Sequence, residues 1–213
     1  DGNTDQSNDG QYQHQMNIHN WLLGNRQRMN IQYLFHDGDI IDDEPNIQEW
    51  EQADAAYKKL DVAKFPYGVL AGNHDVGHLN GDYSNYTQYF GENRYLSNPW
   101  YGGSYKNNRG HYDLISVDGI DFIMLYMGWG IGDEEIQWMN DVLAQYPERK
   151  AILNFHEYLL ASGGLGEEPQ RIYDEVVSKN ENVCMVLSGH YHNAKTRIDT
   201  FTNADGSTRK VYN

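Results

Sequence analysis

An α/β fold is predicted for this chain of 213 residues. Short apolar runs with strand character alternate with longer segments of helical spacing, the pattern of α/β chains. Two strands meet at Asp118-Gly119, a dipeptide suited to a tight hairpin, so the series is not purely βαβ. The length suits a single domain with a core that needs no staples.

Residues 1–10 are polar and rich in Gly, Asn and Asp, and read as loop or disorder. Gln11–Met29 is predicted helical, with Met16, His19, Leu22 and Leu23 on an imperfect apolar stripe. Ile31–Phe35 is a short strand. Ile47, Trp50, Asp54, Tyr57 and Leu60 follow helical spacing behind Pro45. Tyr67–Leu70 is a second strand. Residues 80–110, rich in Tyr, Asn and Gly, read as a long irregular excursion. His111–Val117 and Ile120–Met127 form the hairpin. Asp133 is placed as the cap of a helix running to about Tyr146, ahead of Pro147. Ala151–Phe155 is a strand, Pro169–Lys179 a helix and Asn182–Ser188 a strand. Lys195–Phe201 and Thr208–Tyr212 flank a turn at residues 203–207. One domain is expected over residues 1–213, with a strand before its start and further chain after Asn213.

Composition narrows the function. Lys and Arg total 16 against 31 Asp and Glu, a formal charge of −15. Nucleic-acid backbones and anionic membrane surfaces both require a basic footprint, so neither is an expected partner. Mean hydropathy is −0.79 and no apolar run is long enough for a membrane span. The single cysteine excludes an intrachain disulfide and a Cys-based metal site. Cys184 lies in an apolar run and reads as a small buried hydrophobe.

Four polar clusters each follow a strand: Gly38-Asp39-Ile40-Ile41-Asp42, Gly72-Asn73-His74-Asp75, Asn154-Phe155-His156 and Gly189-His190-Tyr191-His192. Ligand sites of open α/β sheets form beyond the carboxyl ends of strands. Four strands delivering Asp, Asn, His and His-x-His to one edge make a metal-site pattern. A match such as Gly-Asn-His-Asp arises by chance in about one chain in a thousand of this length; four clusters in order are far more specific.

The order of these clusters, with Trp21 and the helix around Trp50-Glu51-Gln52-Ala53-Asp54-Ala55, resembles the calcineurin-like metallophosphoesterase superfamily, in a bacterial and often secreted branch. The resemblance implies a four-layer α/β/β/α sandwich of two mixed sheets flanked by helices. It implies a metal-dependent phosphoester hydrolase, acting on a monoester or a diester through a hydroxide that bridges two metal ions. Asp39 would bridge the metals. Asn73, His156 and His190 would bind one of them and His192 the other. His74 would serve the leaving oxygen, with Asp75 orienting it, and Asp42 would be structural. The nitrogen and oxygen donors suit Mn, Fe or Zn. The family's first motif, Asp-x-His or Asp-x-Gln at the end of a strand, is missing. Asp1-Gly2-Asn3 and Asp9-Gly10-Gln11 mimic it without a preceding apolar run, so the motif is expected upstream of Asp1.

The expected partner is a small phosphorylated substrate; the oligomeric state is not readable. Low Lys content and the resemblance point outside the cell or to its surface. The rival expectation is a catalytically incomplete binding module of a surface protein. A non-haem iron site of two His and one carboxylate is a third. Arg109, with Asn108 and His111, is a candidate for reaching the phosphate. His36 is assigned to packing beside the site, and His14, His19 and His78 to the surface. The aromatic stretch from Tyr83 to Tyr105 reads as a packed lobe.

Overall fold

The computed structural model describes residues 12–77 and 81–213. Asp1-Gly2-Asn3, Asp9-Gly10-Gln11 and His78 lie outside the described residues. The elements run α1 (Tyr12–Asn25), β1 (Leu34–His36), α2 (Ile47–Val62), β2 (Tyr67–Val69), α3 (Ser84–Phe90), β3 (Tyr101–Tyr105), β4 (Gly110–Val117) and β5 (Ile120–Met127). There follow α4 (Asp133–Gln145), β6 (Lys150–Phe155), α5 (Glu167–Ile172), β7 (Val183–Ser188), β8 (Ile198–Thr202) and β9 (Thr208–Tyr212). Among the described residues no helix is long and apolar enough to cross a membrane.

Local chemistry accounts for the boundaries. The Asn46 side chain accepts from the Gln48 amide at 3.2 Å and caps α2. Asp118 (φ 51°) and Gly119 (φ 80°) both adopt the left-handed turn that the β4–β5 hairpin requires. Asp133 is the first residue of α4 rather than its cap, which is Gly132; the Glu135 carboxylate reaches back to the Gly132 amide at 3.0 Å. α5 continues into a π turn over Tyr173–Val177.

Seven strands form a mixed sheet in the order β3-β4-β5-β6-β7-β9-β8, parallel from β5 to β9 and antiparallel at both margins. β1 and β2 form a separate parallel pair. Three apolar clusters hold these layers together. Ile123, Leu125, Leu153 and Val186 of the large sheet pack beneath Ile136, Met139 and Leu143 of α4 and Ile172 of α5. Leu70, Met124 and Tyr126, with Phe35 and Ile152, fill the space between the sheets. On the far side of the small pair, Tyr67 and Val69 meet Trp50, Tyr57 and Leu60 of α2 and Tyr86 and Phe90 of α3. Helices, large sheet, small sheet and helices thus stack as four layers.

Residues 81–110 of that stretch hold more order than its weak periodicity implies. They contain α3 and the edge strand β3, and Tyr86, Phe90 and Tyr95 are buried. The aromatic packing is as expected. Arg94 secures it, reaching Asp54 and Asp61 at 2.7 Å each. His19 departs from its surface assignment: it is buried, its Nδ1 lies 2.9 Å from the Ala56 carbonyl, and its ring meets Tyr57 edge-on. Cys184 is partly buried and its thiol donates to the Ala151 carbonyl at 3.4 Å.

Trp50 has no exposed surface and stacks on Tyr89. Trp50→Ala is expected to lower unfolding free energy by about 3–5 kcal/mol, read as a fall in the urea midpoint at constant slope.

Candidate metal centre

Both sheets aim their carboxyl ends at one hollow of about 370 Å³, lined by Asp37, Asp39, His156, His190, Tyr191 and His192 among others. Asp39 follows β1, Asn73 follows β2, His156 follows β6 and His190 follows β7. The loops approach closely because two motif positions are glycine. A Cβ on Gly38 would stand 2.5 Å from His156 Nδ1, and one on Gly72 would strike the Asp39 carboxylate. Asp75 is buried beneath them; its Oδ2 accepts from the Gly72 amide at 2.7 Å and its Oδ1 from the Ile41 amide at 3.0 Å.

His156 stands at the centre. Its Nδ1 lies 2.7 Å from the Asp37 carbonyl oxygen, so Nδ1 carries a proton and donates it there. Its Nε2 lies 3.2 Å from Asp39 Oδ2, 3.0 Å from Asn73 Oδ1 and 3.1 Å from His190 Nδ1. One N–H cannot serve three acceptors, whereas a cation can. Asp39, His156 and His190 offer ligand atoms all within 4.8 Å of one another, and Asn73 adds an amide oxygen. The donors therefore fit a metal ion with nitrogen and oxygen preference. Asp39 (φ 53°) and His190 (φ 63°) are both in the left-handed region, a conformation costing an L-residue about 1–2 kcal/mol. Two neighbouring candidate ligands held that way are a mark of functional sites.

The remaining assignments divide. His192 is exposed and lines the same hollow without joining the compact group. His74 donates its amide to Asp39 Oδ1 at 3.2 Å. Its Nδ1 lies 2.7 Å from the Asp42 carbonyl and 3.2 Å from the Asp42 carboxylate. Asp42, expected to be structural, thus holds the His74 ring. Asp75, expected to orient it, instead ties the backbones of the Asp39 and Asn73 loops.

None of the three candidate phosphate contacts is among the residues lining the hollow. Arg109 donates to the Gly130 carbonyl at 2.7 Å, lies 3.5 Å from the Glu135 carboxylate and covers the Tyr83 ring. Asn108 is fully buried, bonded to the Phe90 carbonyl and the Tyr101 hydroxyl. His111 is buried in a stack with Tyr95 and Tyr126, and burial lowers its pKa to about 3. Their nearness in sequence to the motifs reflects packing of the aromatic lobe. His36 packs edge-on against Tyr57, as assigned.

Sequence reasoning missed Trp129, whose ring meets His156 at 5.7 Å and His190 at 5.4 Å. No motif marks it; its amide bonds the Ala71 carbonyl, beside the Asn73 loop, at 2.9 Å. It missed Glu157 as well, which accepts from the Tyr191 hydroxyl at 2.8 Å.

Comparison with known proteins agrees with this architecture. Residues 8–194 match the family model described as calcineurin-like phosphoesterase. The chain is 56% identical over 179 residues to YvnB of Bacillus subtilis (strain 168), described as an uncharacterized protein, covering 84% of this chain and 14% of that protein. It is 26% identical over 176 residues to a probable glycerophosphodiester phosphodiesterase, GpdQ, of Arcobacter nitrofigilis, covering 76% of this chain and 56% of that protein. This chain thus spans only part of the length of either relative. A dimetal phosphatase of Danio rerio has the same fold, with a TM-score of 0.55 at 14% identity over 92% of this chain and 76% of that one.

The charges at the centre are coupled. Burial opposes ionisation of both Asp39 and His156, but their mutual hydrogen bond and attraction outweigh it, so Asp39 falls below 3.8 and His156 rises above 6.5. The Asp39 contribution to stability is present above pH 3.8 and lost as pH falls through its lowered value; that of His156 is complete below pH 6.5 and lost as pH rises through its raised value. Burial, with the His156 charge, keeps His190 below its usual value and ready to ligate. A metal must displace the His156 Nε2 proton. Affinity for Mn²⁺ is therefore expected to fall about tenfold per pH unit below the raised His156 value, with one proton released per ion in calorimetry. Affinity that stays flat across this range would remove His156 from the ligand set.

Proposed function

The chain belongs to the calcineurin-like phosphoesterase family, and from that premise we propose that it hydrolyses a small phosphodiester at a two-metal centre bridged by Asp39. The observation that carries this reading is the convergence of Asp39, Asn73 and His190 on His156 Nε2. Asp39, Asn73, His156 and His190 would hold one cation. Asp39 and His192 would serve a second cation.

When bound, two divalent ions supply an activated hydroxide and neutralise phosphate charge. The chain's own groups do the rest. His74, held through Nδ1 by Asp42, is positioned to give a proton to the leaving oxygen. Trp129 walls off one side of the ligand histidines and restricts water. A diester is favoured over a monoester because, among the described residues, no Lys or Arg lines the hollow. A monoester dianion calls for such cationic clamps more than a diester monoanion does. The description of the Arcobacter relative as a diesterase supports the same choice. The net charge of −15 favours a small substrate over a polynucleotide.

Bis-aryl phosphate and aryl phosphate are the test substrates, each with Mn²⁺ and with chelator. Mn²⁺-dependent turnover that is faster on the diester is expected. Inactivity on both, with or without Mn²⁺, would favour the binding-module reading. His74→Ala is expected to lower kcat by about 10²–10⁴ at unchanged metal stoichiometry, with a larger loss on alkyl than on nitrophenyl leaving groups. Asp39→Asn is expected to lower kcat/KM by about a thousandfold, matching the several kcal/mol of charge stabilisation a metal supplies, and to lose bound Mn²⁺ in parallel.

A further inference from the structure

The chain carries a glutamate directly after the candidate ligand His156 and a tyrosine between His190 and His192. The fold joins these two neighbours. The Tyr191 hydroxyl donates to Glu157 Oε1 at 2.8 Å, linking the loop after β6 to the loop after β7. Tyr191 lines the hollow, and its ring stands edge-on to the His190 ring at 4.7 Å. The Trp129 ring lies 5.4 Å from the same imidazole.

His190 needs such support. Its φ of 63° is left-handed, a conformation that an L-residue keeps only where its surroundings over-determine it. The backbone bonds of the turn itself are local: the Tyr191 amide donates to the Gly189 carbonyl and the Asn193 amide to the Tyr191 carbonyl, both at 2.8 Å. Hydrogen bonds that leave the turn lie on either side of His190. Before it, the Gly189 amide donates to the His156 carbonyl at 3.0 Å. After it come the Tyr191 bond to Glu157 and a bond of 3.3 Å from Asn193 Nδ2 to the Ala161 carbonyl. The Tyr191 bond is the shortest of these and has a carboxylate acceptor, both features of the stronger hydrogen bonds.

We propose that Glu157 and Tyr191 are positioning residues for the metal centre: their bond holds the His190 backbone in its left-handed conformation and so keeps the His190 ring turned toward His156, where both can serve one cation. The proposal rests on the reading of His156 and His190 as ligands and goes beyond it, assigning a role to two residues that do not ligate. Outer partners commonly orient metal-binding imidazoles through the second ring nitrogen. Here the orientation is imposed through the backbone of the turn.

Co²⁺ is the probe, since its visible absorption reports ligand geometry. The full-length protein is titrated by absorption and calorimetry, with Tyr191→Phe, Glu157→Ala, Glu157→Gln, the double variant Tyr191→Phe/Glu157→Ala, and His190→Ala. Glu157 and Tyr191 are only half-buried, so these variants leave the core intact. Tyr191→Phe and Glu157→Ala are each expected to weaken Co²⁺ binding by about 10–100-fold, the range for outer partners of metal ligands, and to change the visible spectrum in the same way. The double variant is expected to bind no more weakly than either single one, because each removes the same bond. Glu157→Gln, which keeps an acceptor oxygen, is expected to retain the wild-type spectrum. His190→Ala is expected to lose more affinity than any of these. A merely structural tie would lower the melting temperature of the metal-free protein and leave the Co²⁺ spectrum alone. Tyr191→Phe with wild-type affinity and spectrum would overturn the proposal and leave the ligand reading standing. Losses that add in the double variant, or a Glu157→Gln spectrum matching that of Glu157→Ala, would overturn it equally. A His190→Ala variant that binds Co²⁺ as the wild type does would overturn the ligand reading and the proposal together.

Discussion

His156 Nε2 faces a carboxylate, an amide oxygen and a second imidazole, each delivered by a different strand end. That concentration of acceptors is the constraint on which the site depends. Without a cation it is held by one proton and by the scaffold around it. The Asp37 carbonyl orients the His156 ring. Asp75 binds the Gly72 and Ile41 amides and keeps the Asp39 and Asn73 loops in register. Asp75 is buried, and desolvation, with the Asp39 charge beside it, pushes its carboxyl up to about 7. The left-handed backbone at Asp39 and His190 is a further cost, borne where the candidate ligands meet.

The layers explain how four distant segments reach one point. β6 and β7 are adjacent in the large sheet, and β1 and β2 form the small one. The interface between the sheets sets the distance from His156 and His190 on one side to Asp39 and Asn73 on the other. It is not wholly apolar. His111, Tyr126 and Asn154 lie side by side across β4, β5 and β6, and Tyr33 donates to the Asp113 carboxylate within the same layer. Burial pushes Asp113 up to about 8, so it stays protonated at neutral pH. A neutral acid there avoids placing a bare charge between the sheets. The residues first suspected of phosphate contact, Asn108, Arg109 and His111, serve this interior and the lobe beside it.

Much of this was readable from the chain. Strand and helix order followed from periodicity, the β4–β5 hairpin from Asp118-Gly119, and the candidate ligands Asp39, His156 and His190 from motifs that each sit at a strand end. The misses have physical causes. α3 and β3 are short, and aromatic packing against α2 orders them more than any pattern of their own. His19 faces Ala56 through a contact that local sequence does not announce. Trp129 belongs to no motif, since its place beside His156 and His190 depends on how two sheets and a turn come together.

The sequence by itself determined which residue types stand at the ends of which strands, because alternation, turn chemistry and ligand identity are written in neighbouring positions. Only the tertiary structure decided that Asp42 rather than Asp75 holds His74, that Arg109 is tied up by Gly130 and Glu135, and that the Trp129 ring stands against His156 and His190. Partners separated by tens of residues are chosen by packing, which fixes the distances and burial that local sequence leaves open.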